Sequence, residues 1–322
     1  MKTRTMGQGL TVSALGLGCM GMSQSYGAID DEQASATLCR AVELGVTLFD
    51  SADVYGDGHN EELLGRVLAP HREEVVYATK FGNIRGVPVA NGKPEYVRSA
   101  CEASLRRLNV DYIDLYYQHR IDPTIPIEDT WGALSELVTS GKVRFLGISE
   151  AGISTLRRAH AVHPIAVAQY EYSLFTRDPE SELLPVLAEL GIGFAAYCPI
   201  GRGILSGTLA EGDFSAGDSR PHHPRFQEQH FSHNQALVAT LRDIASGVGA
   251  TATQLALAWL LTRGDNVVPI PGTKRVKYLE ENIRAAALEL SPTTIQAIEA
   301  AIPPGSVSGA RYEAAQLARI NL

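Results

Sequence analysis

An α/β fold, a (β/α)8 barrel of the TIM type, is predicted by three observations. Eight short apolar runs rich in β-branched and aromatic residues alternate with longer helical patterns along the 322 residues. Most of these runs are apolar on both faces, as parallel strands covered by helices must be. Ionisable residues stand at the ends of consecutive runs, where a barrel gathers them into one pocket. An open doubly wound sheet shows the same alternation, so the third observation carries the choice.

The elements follow in order. TRTMGQGLTVS reads as a hairpin, two arms of alternating polarity around Gly7, Gln8 and Gly9. The predicted strands are ALGLG (14–18), VTLFDSA (46–52), VVYATK (75–80), IDLYYQH (113–119), VRFLGIS (143–149), IAVAQY (165–170), GFAAYCP (193–199) and NVVPIPG (266–272). Between them, Asp30 caps a helix that Gly45 ends, Pro94 opens another from the first turn, and Ser291-Pro292 starts the last. After strand seven, residues 201–234 read as a long irregular loop, a length that is usually functional. No linker, repeat or low-complexity tract interrupts the chain, so residues 1–322 are expected to form one unit.

Composition narrows the function. With 28 basic and 36 acidic residues the net charge is -8, which repels a phosphate backbone and argues against nucleic acid as a partner. Cys19, Cys39, Cys101 and Cys198 lack any CxxC spacing, as expected of reduced thiols in a cytoplasmic protein. The start MKTRTMGQGL lacks the apolar stretch of a secretory signal, and no apolar run is long enough to span a membrane.

The densest cluster of chemistry is LFDSADVYGDGHNEELLG (48–65). Asp50 ends the second strand and Tyr55 follows in the loop; Lys80 ends the third strand and His119 the fourth. Hydride delivery to a carbonyl carbon leaves an alkoxide that needs a proton. A free tyrosine, with pKa about 10, is a weak acid at neutral pH, and a lysine cation beside it eases release. Asp50 keeps Lys80 charged and oriented, while His119 polarises the carbonyl oxygen. Any one of these residues alone is more often structural; their coincidence at successive strand ends is the signal.

With those residues in place, the sequence resembles the aldo-keto reductases over essentially its whole length, and most closely their plant auxin-induced-like and bacterial branch. The DxAxxY segment, the lysine after strand three and the histidine after strand four match as Asp50, Tyr55, Lys80 and His119. The resemblance implies metal-free, NADPH-linked reduction of aldehydes or ketones, with NADH a less favoured cofactor. It also implies a cofactor site. Ser149, Glu150 and Gln169 would hold the nicotinamide amide and Tyr197 would stack on its ring. Pro199, Ile200, Gly201 and Arg202 would wrap the pyrophosphate, with Gly21 and Met22 touching the cofactor. Gly272, Thr273, Lys274 and Arg275 would hold the adenosine phosphates, with Glu281 and Asn282 facing adenine. Two departures stand out: Glu150 replaces the more familiar Asn, and the basic residues at 272–278 are shifted in register.

Other readings weigh less. GLGCMG (16–21) spells GxGxxG, but neither the helix inside the glycines nor the acidic residue about 20 positions on is present. His222, His223, His230 and His233 crowd one loop in a spacing that matches no zinc site. Trp131 and Trp259 lie in helical patterns and read as core. The rivals are a cofactor-binding regulatory or sensor protein on the same scaffold, as in potassium-channel beta subunits, and a metal-dependent barrel hydrolase. The substrate wall is expected to be apolar, from Met20, Met22, Tyr26, Phe81, Phe226 and Phe231 with Arg120. Oligomeric state is open.

Overall fold

A computed structural model describes residues 1–210 and 212–320. The chain opens with an antiparallel hairpin, β1 (Thr3–Thr5) and β2 (Thr11–Ser13). Alternation then begins with β3 (Leu17–Gly18), α1 (Asp31–Glu43), β4 (Leu48–Asp50), α2 (His59–Leu68), β5 (Val76–Phe81) and α3 (Pro94–Leu108). It continues through β6 (Ile113–Gln118), α4 (Ile127–Thr139), β7 (Val143–Ser149), α5 (Ile153–Val162), β8 (Val167–Glu171), α6 (Leu183–Leu190) and β9 (Gly193–Tyr197). Two helices, α7 (Glu228–Gly247) and α8 (Ala252–Leu261), precede β10 (Val267–Pro269), and α9 (Val276–Arg284), α10 (Pro292–Ala301) and α11 (Ala314–Leu317) complete it.

Strands β3 to β10 lie in sequence order and pair in parallel. A parallel bridge between Gly18 and Gly272, with Gly16 N–H donating to the Pro269 carbonyl, joins the first strand to the last. The sheet therefore closes into the expected barrel. Inside it, Leu48, Ala78, Leu115, Val167, Ala195 and Val268 pack together, and the hairpin's Met6, Leu10 and Val12 plug the same cluster from below. A larger apolar layer fills the space between sheet and helices, with Trp131 and Trp259 fully buried in it.

The local signals hold at the helix ends. Asp30 accepts from the Gln33 N–H, Ser291 accepts from the Thr294 N–H, and Pro94 occupies the first turn of α3. One boundary differs. The irregular stretch ends earlier than residue 234, because α7 begins at Glu228. Its buried residues Phe231, Asn234, Val238, Leu241 and Ala245 recur at helical spacing, but polar and histidine residues between the first two hide that period. Among the described residues no single helix is long and apolar enough to cross a membrane.

Helices α2 and α3 approach closely because Gly65 has no side chain: a Cβ there would lie 2.4 Å from the Leu108 carbonyl oxygen. Backbone cannot step aside as a side chain can. Gly65→Ala is therefore expected to cost about 2 kcal/mol, read as a lower urea midpoint at unchanged slope.

Candidate active site

The C-terminal ends of the parallel strands open onto one cavity of about 900 Å3. Its floor is an ion pair. Lys80, next to last in β5 and fully buried, donates to Asp50 Oδ1 at 2.5 Å and to the Ser51 carbonyl at 2.6 Å. The second Asp50 oxygen accepts from Gln169 Nε2 on β8 at 2.7 Å. Three strands are thereby tied through one carboxylate.

Tyr55 comes from the turn after β4, which is pinned from several sides. Ser51 and Asp53 N–H groups donate to the carbonyls of Ala78 and Lys80, and the fully buried Asn60 bridges Ser51 to the Cys19 carbonyl. That anchoring brings the Tyr55 hydroxyl to 3.5 Å from Lys80 Nζ. His119 follows β6 directly and meets the Tyr55 ring edge-on, with centroids 5.9 Å apart. Asp50, Tyr55 and His119 line the cavity, and Lys80 lies beneath it.

Burial, and then the Asp50 carboxylate, holds the Tyr55 phenol well above its ordinary value, with Arg120 acting the other way. This corrects the expectation that Lys80 lowers it. The lysine charge is matched by Asp50, so desolvation of the phenolate wins. Burial, followed by the Arg120, Lys80 and Arg319 cations, holds the His119 imidazole well below its ordinary value. His119 is thus neutral at physiological pH, and its Nδ1 is buried without a partner among the described residues.

The residues assigned to a cofactor divide into those on the cavity wall and those behind it. Gly21, Ser149, Gln169, Tyr197, Pro199, Ile200, Arg202, Gly272, Thr273, Lys274, Arg275, Glu281 and Asn282 line it. Met22 and Gly201 are buried behind the wall, with Met22 in the apolar core. Glu150, buried and in the left-handed region (φ 54°), also lies behind it. Its oxygens each accept from Arg311 at 2.8 Å, and Oε1 also accepts from the Tyr197 hydroxyl at 2.7 Å. It holds the wall rather than facing the cavity. Arg202 lies between Gly201 and Gly203, all three in the left-handed region. Its guanidinium donates to the buried Glu171 at 2.8 Å, so the loop offers backbone N–H groups more than this side chain. Lys274 donates to the Tyr26 and Ala28 carbonyls, and Glu281 accepts from Thr251. Arg275 and Asn282, also on the wall, make no side-chain hydrogen bond among the described residues.

The apolar wall is also corrected. Phe81, Phe226 and Phe231 join Met22 in the core, and only Met20, Tyr26 and Arg120 of that set reach the cavity. In their place stands a segment that sequence reasoning missed: Tyr312, Gln316, Arg319 and Ile320 line the cavity from the C-terminal stretch. Tyr312 shares a hydrogen bond with Tyr197 at 3.0 Å, and Arg311 reaches Glu150 across 161 positions of sequence. The crowded histidines serve this segment too, His230 bonding Ser308 and His233 the Ser306 carbonyl. Among the described residues no three metal-competent side chains converge.

A profile of the aldo/keto reductase family matches residues 14–303. The chain belongs to that family. A curated relative, the probable aldo-keto reductase 1 of Glycine max, is 47% identical over 310 residues, covering 95% of this chain and 90% of its own. A glycerol dehydrogenase structure from Gluconobacter oxydans superposes with a TM-score of 0.84 at 28% identity, covering 94% of this chain and 96% of its own. A Klebsiella pneumoniae aldo/keto reductase in complex with NADP and acetate superposes at 0.76 and 27% identity, covering 97% and 99%. This aldo-keto reductase is an NAD(P)H-dependent oxidoreductase.

The cavity fits a dinucleotide on the enzyme's own evidence. It runs continuously from Tyr55 and His119, past Ser149 and Tyr197, to the glycine at 272 and the start of α9. That start carries no side-chain cap, Thr273 and Arg275 line the cavity end beside it, and a helix N-terminus favours an anion.

The neutral state of His119 has a stability consequence. The unfolded chain protonates this imidazole near pH 6.5, while the folded protein does not. Below that value the unfolded state binds the extra proton, so stability falls as pH drops through it. His119→Asn is expected to remove about 1 kcal/mol of the loss between roughly pH 7.5 and 5.5, checked by urea unfolding of both proteins across that range.

Proposed function

We propose that the enzyme reduces aldehydes and ketones to alcohols with NADPH, and that Tyr55 is the proton donor. The observation that carries this reading is the Tyr55 hydroxyl at 3.5 Å from a buried lysine that Asp50 already neutralises, beside an uncharged histidine, on the cavity wall.

The residues divide the work as follows. A nicotinamide held at Ser149, Gln169 and Tyr197 supplies the hydride when bound. His119, being neutral, donates a hydrogen bond to the carbonyl oxygen without competing as an acid. Tyr55 keeps its proton until charge develops on that oxygen, because an alkoxide is a stronger base than a phenolate. As the proton leaves, the new phenolate charge falls beside Lys80, which is preorganised by Asp50 and the Ser51 carbonyl. Gln169 keeps Asp50 aligned from the far side of the barrel.

Cofactor choice rests on few cations. Lys274 is engaged with backbone carbonyls, so Arg275 is the group proposed to meet the 2′-phosphate that distinguishes NADPH from NADH. Asn282, buried and on the wall, is the better placed of the 281–282 pair for adenine.

Tyr55→Phe is expected to lower kcat by about 10²–10⁴-fold while the Kd for NADPH changes by less than about threefold. Steady-state oxidation of NADPH, and separately NADH, against aromatic aldehydes reads the first, and quenching of protein fluorescence the second. Equal turnover by the variant removes Tyr55 from the role. Tight NADPH binding with no turnover in the wild type points instead to a sensor or partner protein.

A further inference from the structure

We propose that Arg120 and Arg319 form an oxyanion subsite beside His119, selecting carbonyl substrates that carry a carboxylate or a phosphate. The inference rests on the reductase reading above and names its substrate class.

The argument is one of charge accounting around the reacting end of the cavity. Each carboxylate there already has a cation: Asp50 has Lys80, Glu150 has both forks of Arg311, and Glu171 has Arg202 and Arg225. Arg120 and Arg319 both line the cavity, and among the described residues neither has a carboxylate within 4.0 Å. Arg120 uses a single nitrogen, Nη1, which donates to the His119 carbonyl at 2.7 Å and to Ser149 Oγ at 3.1 Å. Its Nε and Nη2 donors make no bond among the described residues. Arg319, after α11, donates from Nη2 to Asn83 Oδ1 at 2.8 Å on the loop after β5.

Two like charges held over one recess destabilise the empty site, and an incoming anion reverses that cost. The field of both reaches His119, whose proton affinity they lower in addition to burial and Lys80. A planar guanidinium fork matches the two oxygens of a carboxylate or phosphate, which a neutral wall cannot do. Because Tyr55 and His119 take the carbonyl oxygen, the anionic group and the carbonyl are separated by a short carbon chain. The sequence-based expectation of an apolar wall fails here for a definite reason. Arg319 is contributed by a segment about 200 positions from His119, and four of the expected apolar residues lie in the core.

The test compares matched substrates: 4-oxobutanoate against butanal for the carboxylate, and glyceraldehyde 3-phosphate against glyceraldehyde for the phosphate. In the wild type the charged member of one pair is expected to be favoured in kcat/KM by about ten- to a hundredfold, and that pair names the source. The preference is expected to fall by about tenfold or more in Arg319→Gln and in Arg120→Gln, chiefly through KM. Ratios near one in both pairs, or a ratio in Arg319→Gln within about twofold of wild type, overturn the subsite. Calorimetric titration of succinate and of inorganic phosphate into protein saturated with NADP+ reads the same recess without turnover. Binding that weakens in both variants supports the subsite, and absence of binding by either anion overturns it. A wild type that binds these anions but reduces no aldehyde sinks the reductase reading alone.

Discussion

The rest of the site depends on a fully buried ammonium. Lys80 cannot keep its charge in the barrel unless a carboxylate and further oxygens meet it, and Asp50 and the Ser51 carbonyl do so. The second Asp50 oxygen then draws Gln169 from β8, which locks strands from both sides of the barrel around one point. Tyr55 and His119 are placed against that floor. Their protonation states follow from burial and the charges around it: burial and then Asp50 hold the phenol up against Arg120, and burial, with the Arg120, Lys80 and Arg319 cations adding to it, holds the imidazole down. Both groups are thereby held in their neutral forms by their environment.

Much of this was legible in the sequence because barrel topology converts strand ends into neighbours. Asp50, Lys80 and His119 stand at the ends of runs visible from composition alone, and Tyr55 lies five residues beyond one of them. The helix starts at Asp30, Pro94 and Ser291 were legible for local reasons, the Asp30 and Ser291 caps being satisfied three residues on and Pro94 standing in the first turn. What was not legible is long-range or conformational. The C-terminal stretch reaches Glu150 and Asn83 from far along the chain, and no periodicity announces that docking. The partners of Lys274 and Arg202 are likewise set by tertiary placement, so both cations looked free to meet phosphate when each was already engaged.

Glu150 shows how the two kinds of information meet. Its backbone lies in the left-handed region, where Asn is far more common than Glu, so the departure from the more familiar residue carries a cost. The side chain offsets it by collecting Arg311, Tyr197 and the Glu171 N–H. The glutamate at position 150 thus coincides with a C-terminal segment clamped over the cavity. Tyr312, Gln316 and Arg319 arrive there through that clamp. Support of the wall and shaping of the recess are one arrangement.

The most direct measurement is a double-mutant cycle on the floor itself, using Asp50→Asn, Lys80→Met and the pair of changes together, with unfolding free energies from urea titration. A buried pair on which the site depends predicts a loss of about 3–5 kcal/mol for each single change, since each leaves an uncompensated buried group. The double variant should then lose clearly less than the sum, with a coupling of about 2 kcal/mol or more. Additivity within about 0.5 kcal/mol would mean that the two charges do not hold one another, and would contradict the account.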